Sequence, residues 1–177
     1  MEKPKRYHPF LIALHWLIAT LIIFMLLVGL LSLKSMPNNP AKLMPLGFHM
    51  ATGILILVLM LVRIVVRVAT KKPEEATSGN RFLDFIGRLT HYALYLFAIL
   101  MAISGIGISV QAGLVPIVFG ASGAPLPEDF FVYPVRYGHG YTAIILIVLI
   151  LMHVGAALYH QFFRKDRLLS RMGIGKV

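Results

Sequence analysis

Four apolar runs, at residues 10–33, 43–62, 89–110 and 141–159, set the terms for this chain. Each approaches the length of about 20 residues that a helix needs to cross a bilayer. Hydrophobic residues make up 58% of the 177 positions and charged ones 14%, a balance too apolar for an ordinary soluble domain. The runs predict an all-α integral membrane protein, a bundle of four transmembrane helices over about 10–33, 43–68, 82–110 and 138–163. So little chain lies outside them that a single membrane domain, 1–177, is expected. The longest connection, 113–137, is rich in Pro and Gly and reads as a partly ordered loop.

The first run follows Lys3, Lys5 and Arg6, as the core of a signal peptide would. It is long, however, contains His15 and Trp16, and ends without a small-residue cleavage pattern, so it is expected to be retained as a helix. The absence of Cys excludes disulfides and thiolate clusters.

The formal charge of +10 raises the question of nucleic acid, and its distribution answers it. With the N-terminus inside, Lys3, Lys5, Arg6, Arg63, Arg67, Lys71, Lys72, Arg81, Arg88, Arg164, Lys165, Arg167, Arg171 and Lys176 all fall on the cytoplasmic side. Only Lys34, Lys42 and Arg136 fall outside. The positive-inside rule therefore predicts both termini in the cytoplasm, and it accounts for the basic balance without nucleic acid.

Ionisable side chains inside a spanning helix are costly and by default mark a function. On the last helix His139 and His153 stand 14 residues apart, about 21 Å of rise and about 40° short of four full turns. They project from nearly one face at two depths, one near the outer surface and one in the inner half of the bilayer. The outer depth has a counterpart in His49, at the outer end of the second helix. The inner depth has one in His15, about two turns into the first helix.

Two imidazoles facing each other across a helical bundle are what a bis-histidine haem requires, with neutral nitrogen ligands on both sides of the iron and room for the macrocycle. Without a C-x-x-C-H motif any haem is bound non-covalently. The reading is two haems b, the inner iron on His15 and His153 and the outer on His49 and His139. Gly53, Gly155, Gly29, Gly105 and Gly107 can supply room, and they equally serve helix packing in lipid.

Haem propionates need a countercharge. Arg63 lies 14 residues after His49, on nearly the same face, at the depth of the inner pair. It can meet an inner propionate or extend to the headgroups, whereas Arg67, a turn further, reads as a headgroup residue. His8 precedes the first helix and reads as interfacial. His91, near the cytoplasmic start of the third helix, is open to a quinone carbonyl, a propionate or packing. His160 lies two turns after His153 with no histidine at its level, and is open to a helix-dipole role or to proton transfer.

Aromatic residues near helix ends, among them Trp16, Tyr7, Tyr133 and Tyr137, fit an interfacial belt, and the nine Met residues fit core or lipid-facing filler. No phosphate loop, nucleophile triad or paired carboxylates are present, so hydrolytic chemistry has no apparatus.

Four patterns together carry a resemblance: His15–Trp16, the H-x-x-x-G of His49 and Gly53, the R-x-x-x-R of Arg63 and Arg67, and the closing H-x(13)-H-V-G-A-A-L-Y-H-Q-F-F-R-K-D from His139 to Asp166. Over essentially the whole chain the sequence resembles the prokaryotic cytochrome b561 family, and the C-terminal pattern is the most specific part. The resemblance implies a four-helix, dihaem protein that moves electrons between the two membrane faces and exchanges them with the quinone pool. It carries the ligands onto the same His15, His49, His139 and His153.

One branch of that family oxidises superoxide on the periplasmic side and reduces ubiquinone. Related b-type subunits accept electrons from a hydrogenase or another dehydrogenase through a soluble redox partner. The superoxide reading asks for a cationic entry beside the outer pair, for which Arg136, Lys34 and Lys42 are the candidates; Glu128 and Asp129 in the same loop oppose it. Electrons are then expected to enter at the outer level and leave to a quinone near the cytoplasm, with His91 and His160 as proton relays. A non-redox protein that conducts protons or binds a metal is the remaining rival, and it has no need of matched pairs at two depths.

Overall fold

The computed structural model describes residues 4–75, 77–120 and 122–175. The topological charges Lys3 and Lys176 lie outside the described residues. The chain forms α1 (Pro9–Leu27), α2 (Leu43–Ala69), α3 (Arg81–Gln111), α4 (Leu114–Val118), α5 (Pro134–Tyr159) and α6 (Leu168–Arg171). α1 continues through a π-helical turn at Val28–Leu33, and α5 through another at His160–Arg164. With their extensions, four helices are long and apolar enough to span a membrane: Pro9–Leu33, Pro40–Ala69, Arg81–Gln111 and Pro134–Arg164.

Helix starts follow local chemistry. Pro9 occupies the first turn of α1, where a missing N–H costs nothing, and the His8 ring nitrogen accepts from Phe10 N. Asn80 caps α3 by accepting from Phe82 N and Leu83 N, with Asp84 in the first turn held by Thr77 and Ser78. The last spanning helix begins at Pro134 rather than near 138, because proline at the first helical position is preorganised for it. The expected 113–137 loop is partly helical, containing α4 and a 3₁₀ turn at Phe130–Val132.

Backbones pack closely in the pairs α1–α2, α2–α3 and α3–α5. The α5 backbone approaches α1 and α2 less closely, and side chains fill the space between them. Leu14, Ile18, Met25, Ile56, Met60, Ala98 and Leu146, drawn from all four long helices, form one buried cluster. A second cluster of Ile108, Ala112, Leu114 and Leu126 seats α4 against the end of α3. Large apolar side chains such as Leu31, Val65, Val68, Leu151 and Phe163 remain exposed around the outside, as lipid-facing positions should.

The two termini meet at one end of the bundle. Tyr7 N donates to Arg171 O, Arg6 donates to Gly175 O, and Arg171 donates to Glu74 O in the α2–α3 connection. Trp16 Nε1 donates to Met172 O at 2.9 Å, which draws the C-terminal segment under α1. At the opposite end Asn38 donates to Glu128 O and joins the two remaining connections.

Candidate functional site

Histidines of α5 meet histidines of α1 and α2 at two levels. His15 on α1 faces His153 on α5 with ring centroids 6.2 Å apart, and His49 on α2 faces His139 on α5 at 6.3 Å. A metal–imidazole bond of about 2.0 Å places the ring centroid about 3.2 Å from the metal, so two rings clasping one atom from opposite sides stand about 6.3 Å apart. Both pairs have that spacing.

The rings of the outer pair are walled by glycine. A Cβ added at Gly29 would lie 3.6 Å from His49 Cε1, and one at Gly105 would lie 3.4 Å from His139 Cε1. Gly53 and Gly155, also offered by the sequence as space-makers, have nothing within 4 Å of a Cβ position, and Gly107 faces Val135. The room at the outer pair is thus made by α1 and α3. Among the described residues His49 Nδ1 is sealed from solvent without a hydrogen-bond partner. His139 Nδ1 meets the Ser104 hydroxyl at 2.9 Å.

The inner pair has more company than the sequence predicted. His91 on α3 brings its ring within 5.0 Å of His153. Its Nδ1 is 2.7 Å from Gly87 O, and because a carbonyl only accepts, Nδ1 carries the proton and Nε2 keeps a free lone pair. Trp16 packs its ring 5.1 Å from His15. Arg63 does not extend to the headgroups: it is only 9% exposed, with Nε donating to the Tyr95 hydroxyl at 2.8 Å and Nη1 to Leu11 O at 2.9 Å. Among the described residues no carboxylate pairs with it. Arg67 lies with its guanidinium 5.6 Å from the Tyr95 ring centroid.

His160 has a partner after all. Its Nδ1 sits 2.5 Å from Asp166 Oδ2, and Arg164 approaches the same oxygen at 3.7 Å. At the other end, the three outer cations differ from one another. Lys34 is exposed. Lys42 is buried, donating to Met36 O and Asn38 Oδ1 over the Phe130 ring, so its ammonium is already committed. Arg136 is half-buried, its guanidinium 5.0 Å from the Phe131 centroid, and its Nη1 would be 3.4 Å from a Cβ at Gly140, the residue after His139. Asp129 is used locally, accepting from Phe131 N.

Tyr95, Ser104 and Asp166 are the site residues that sequence reasoning missed. Tyr95 had one usable signal, lying a single turn after His91; Ser104 had none.

Residues 6–175, nearly the entire chain, match the family model described as prokaryotic cytochrome b561. The chain belongs to the prokaryotic cytochrome b561 family. It is 31% identical to cytochrome b561 homolog 2 of Escherichia coli K12, over 98% of this chain and 93% of that protein. It is 30% identical to cytochrome b562 of Cereibacter sphaeroides, over 97% and 98% of the two chains. A protein named probable superoxide oxidase CybB in Yersinia pestis is 28% identical over 95% and 96%. Membership makes this a bacterial membrane protein of electron transfer, with b-type haem as the cofactor the family implies. The paired imidazoles and the space left at Gly29 and Gly105 fit such a group.

Proposed function

We propose that this cytochrome b561 holds two b-type haems, one between His15 and His153 and one between His49 and His139, and carries electrons from the periplasmic face to the quinone pool. The observation that carries the reading is the two pairs of facing imidazoles, one toward each end of α5, at 6.2 and 6.3 Å. When bound, b-type haem supplies reversible one-electron chemistry, and the protein supplies ligation, orientation and a dry surrounding.

The end bearing both termini is assigned to the cytoplasm of the inner membrane, because basic residues crowd it. Arg63 is the group proposed for an inner propionate. It is a buried cation that no carboxylate pairs with among the described residues, and two of its five N–H donors are spent on Tyr95 and Leu11. A propionate would supply the missing charge through the remaining donors.

At the periplasmic end the proposed donor is superoxide. Two superoxide anions release two electrons and become dioxygen; one ubiquinone takes those two electrons and two protons and becomes ubiquinol. Arg136, beside His139 and partly open to solvent, is the cation that would attract the anion, with exposed Lys34 further out. Lys42 is left out because its ammonium is occupied. The name of the Yersinia pestis relative supports this choice of donor.

At the cytoplasmic end His91 and His160 are the proposed quinone and proton groups. His91 Nδ1 is held by Gly87 O, and Nε2, on a ring next to His153, can take up a proton and pass it to a reduced quinone oxygen. The Asp166 carboxylate orients the His160 ring, which places it to pass protons from the cytoplasm. The reading is tested with purified protein in detergent by reduced-minus-oxidised spectra and by superoxide-dependent ubiquinol formation. Absence of a reducible b-type spectrum refutes the haem assignment, and a normal spectrum without superoxide-dependent ubiquinol refutes the donor.

A further inference from the structure

The four proposed ligands are not supported alike. His49 has its Nδ1 buried and unpartnered, whereas His139 Nδ1 lies 2.9 Å from Ser104 Oγ. Ser104 Oγ also lies 2.9 Å from the carbonyl of Met101, one turn earlier on α3. A hydroxyl has one proton to give, and a carbonyl can only accept. If the proton went to His139, two oxygens would face each other at 2.9 Å with nothing between them. The arrangement that satisfies all three groups sends the hydroxyl proton to Met101 O and lets the Ser104 lone pair accept from His139 Nδ1–H.

That chain of donors fixes the imidazole. Nδ1 holds the proton, so Nε2 keeps the lone pair that a metal needs. Both Ser104 and Gly105 come from α3, the helix that packs closely on α5, and Gly105 leaves room for the ring, since a Cβ there would lie 3.4 Å from His139 Cε1. A hydrogen bond accepted from the distal N–H of a ligating histidine makes the ligand more electron-rich and stabilises the oxidised metal.

We propose that Ser104 is a positioning residue for the outer haem, setting the tautomer and basicity of His139 and thereby lowering the reduction potential at that end. The proposal rests on the assignment of His49 and His139 as ligands. It adds a directional feature, since one axial ligand at the outer level is anchored by a hydroxyl and the other is not.

The test uses the full chain purified in detergent, redox-titrated by visible spectra, with electron paramagnetic resonance of the low-spin ferric signals. In Ser104→Ala the reduced-to-oxidised ratio of the outer haem at a fixed ambient potential rises about three- to tenfold, tenfold being about 59 mV for one electron. Its ferric signal shifts while the inner one does not. Ser104→Thr, which keeps the hydroxyl, stays near the parent value. An unchanged outer potential and signal in Ser104→Ala overturns the proposal, as does an equal shift in Ser104→Thr. Loss of the outer haem from both variants assigns Ser104 to packing and also overturns it. A parent protein that lacks a second b-type haem refutes the ligand assignment itself, which separates that failure from the failure of Ser104.

Discussion

Replacing Arg63 with methionine separates two states of the protein that ordinary destabilisation would affect alike. In the haem-free chain Arg63 makes two hydrogen bonds, to Tyr95 and Leu11 O, each worth about 1.5–3 kcal/mol for a charged donor. Its charge is buried with no carboxylate beside it among the described residues, at a desolvation cost of several kcal/mol. The two effects offset, so Arg63→Met leaves the stability of the haem-free protein within about 2 kcal/mol of the parent.

In the haem-loaded protein the balance changes. A propionate about 4 Å from the guanidinium, at an effective dielectric of about 20, gains about 4 kcal/mol before costs. A net value of about 1.5–3 kcal/mol corresponds to about 10- to 100-fold weaker retention of the inner haem in the variant. The removed positive charge also lowers the inner potential. The assay is haem titration into haem-free protein in detergent, read by the b-type absorbance, with thermal unfolding of the haem-free form as the control. Inner-haem affinity within about twofold of the parent refutes the argument, and so does a large loss of haem-free stability.

Two further substitutions test the outer end. Gly105→Val brings side-chain carbon against His139, where even a single Cβ sits at 3.4 Å, so b-type haem content falls by about half through loss of the outer group, while Gly53→Val, in open space, retains both; equal haem content in the two variants counts against the glycine wall. Arg136→Gln lowers the superoxide-dependent rate about tenfold at low salt and flattens its ionic-strength dependence, measured as ubiquinol formation; an unaltered salt dependence removes Arg136 from the entry.

The helices and the histidine pairs were legible because each follows from one-dimensional rules. Run length places the spans, and the 14-residue interval from His139 to His153 sets two levels on one face. What was hidden depends on how each helix is rotated against its neighbours. Nothing in the local sequence says that Ser104 meets His139, or that Gly29 and Gly105, rather than Gly53 and Gly155, line the rings.

The contact between His160 and Asp166 was hidden for a different reason. In a continuous α-helix residues six apart differ by about 240° around the axis and cannot touch. The π turn at His160–Arg164 and the left-handed backbone at Lys165, with φ of 57°, end the helix and turn Asp166 back onto the ring. Arg63 was ambiguous because a long cation at that depth can extend outward or inward; Tyr95 and Leu11 O, supplied by α3 and α1, hold it inward.

The central claim is that two haems are held by four histidines in level-matched pairs. The most direct measurement is haem stoichiometry and redox-difference spectra of the purified chain beside its four single His→Ala variants at positions 15, 49, 139 and 153. The account predicts two b-type haems per chain, with His15→Ala and His153→Ala losing one spectral component and His49→Ala and His139→Ala losing the other. A loss shared by His15→Ala and His49→Ala, or a single haem per chain, contradicts it.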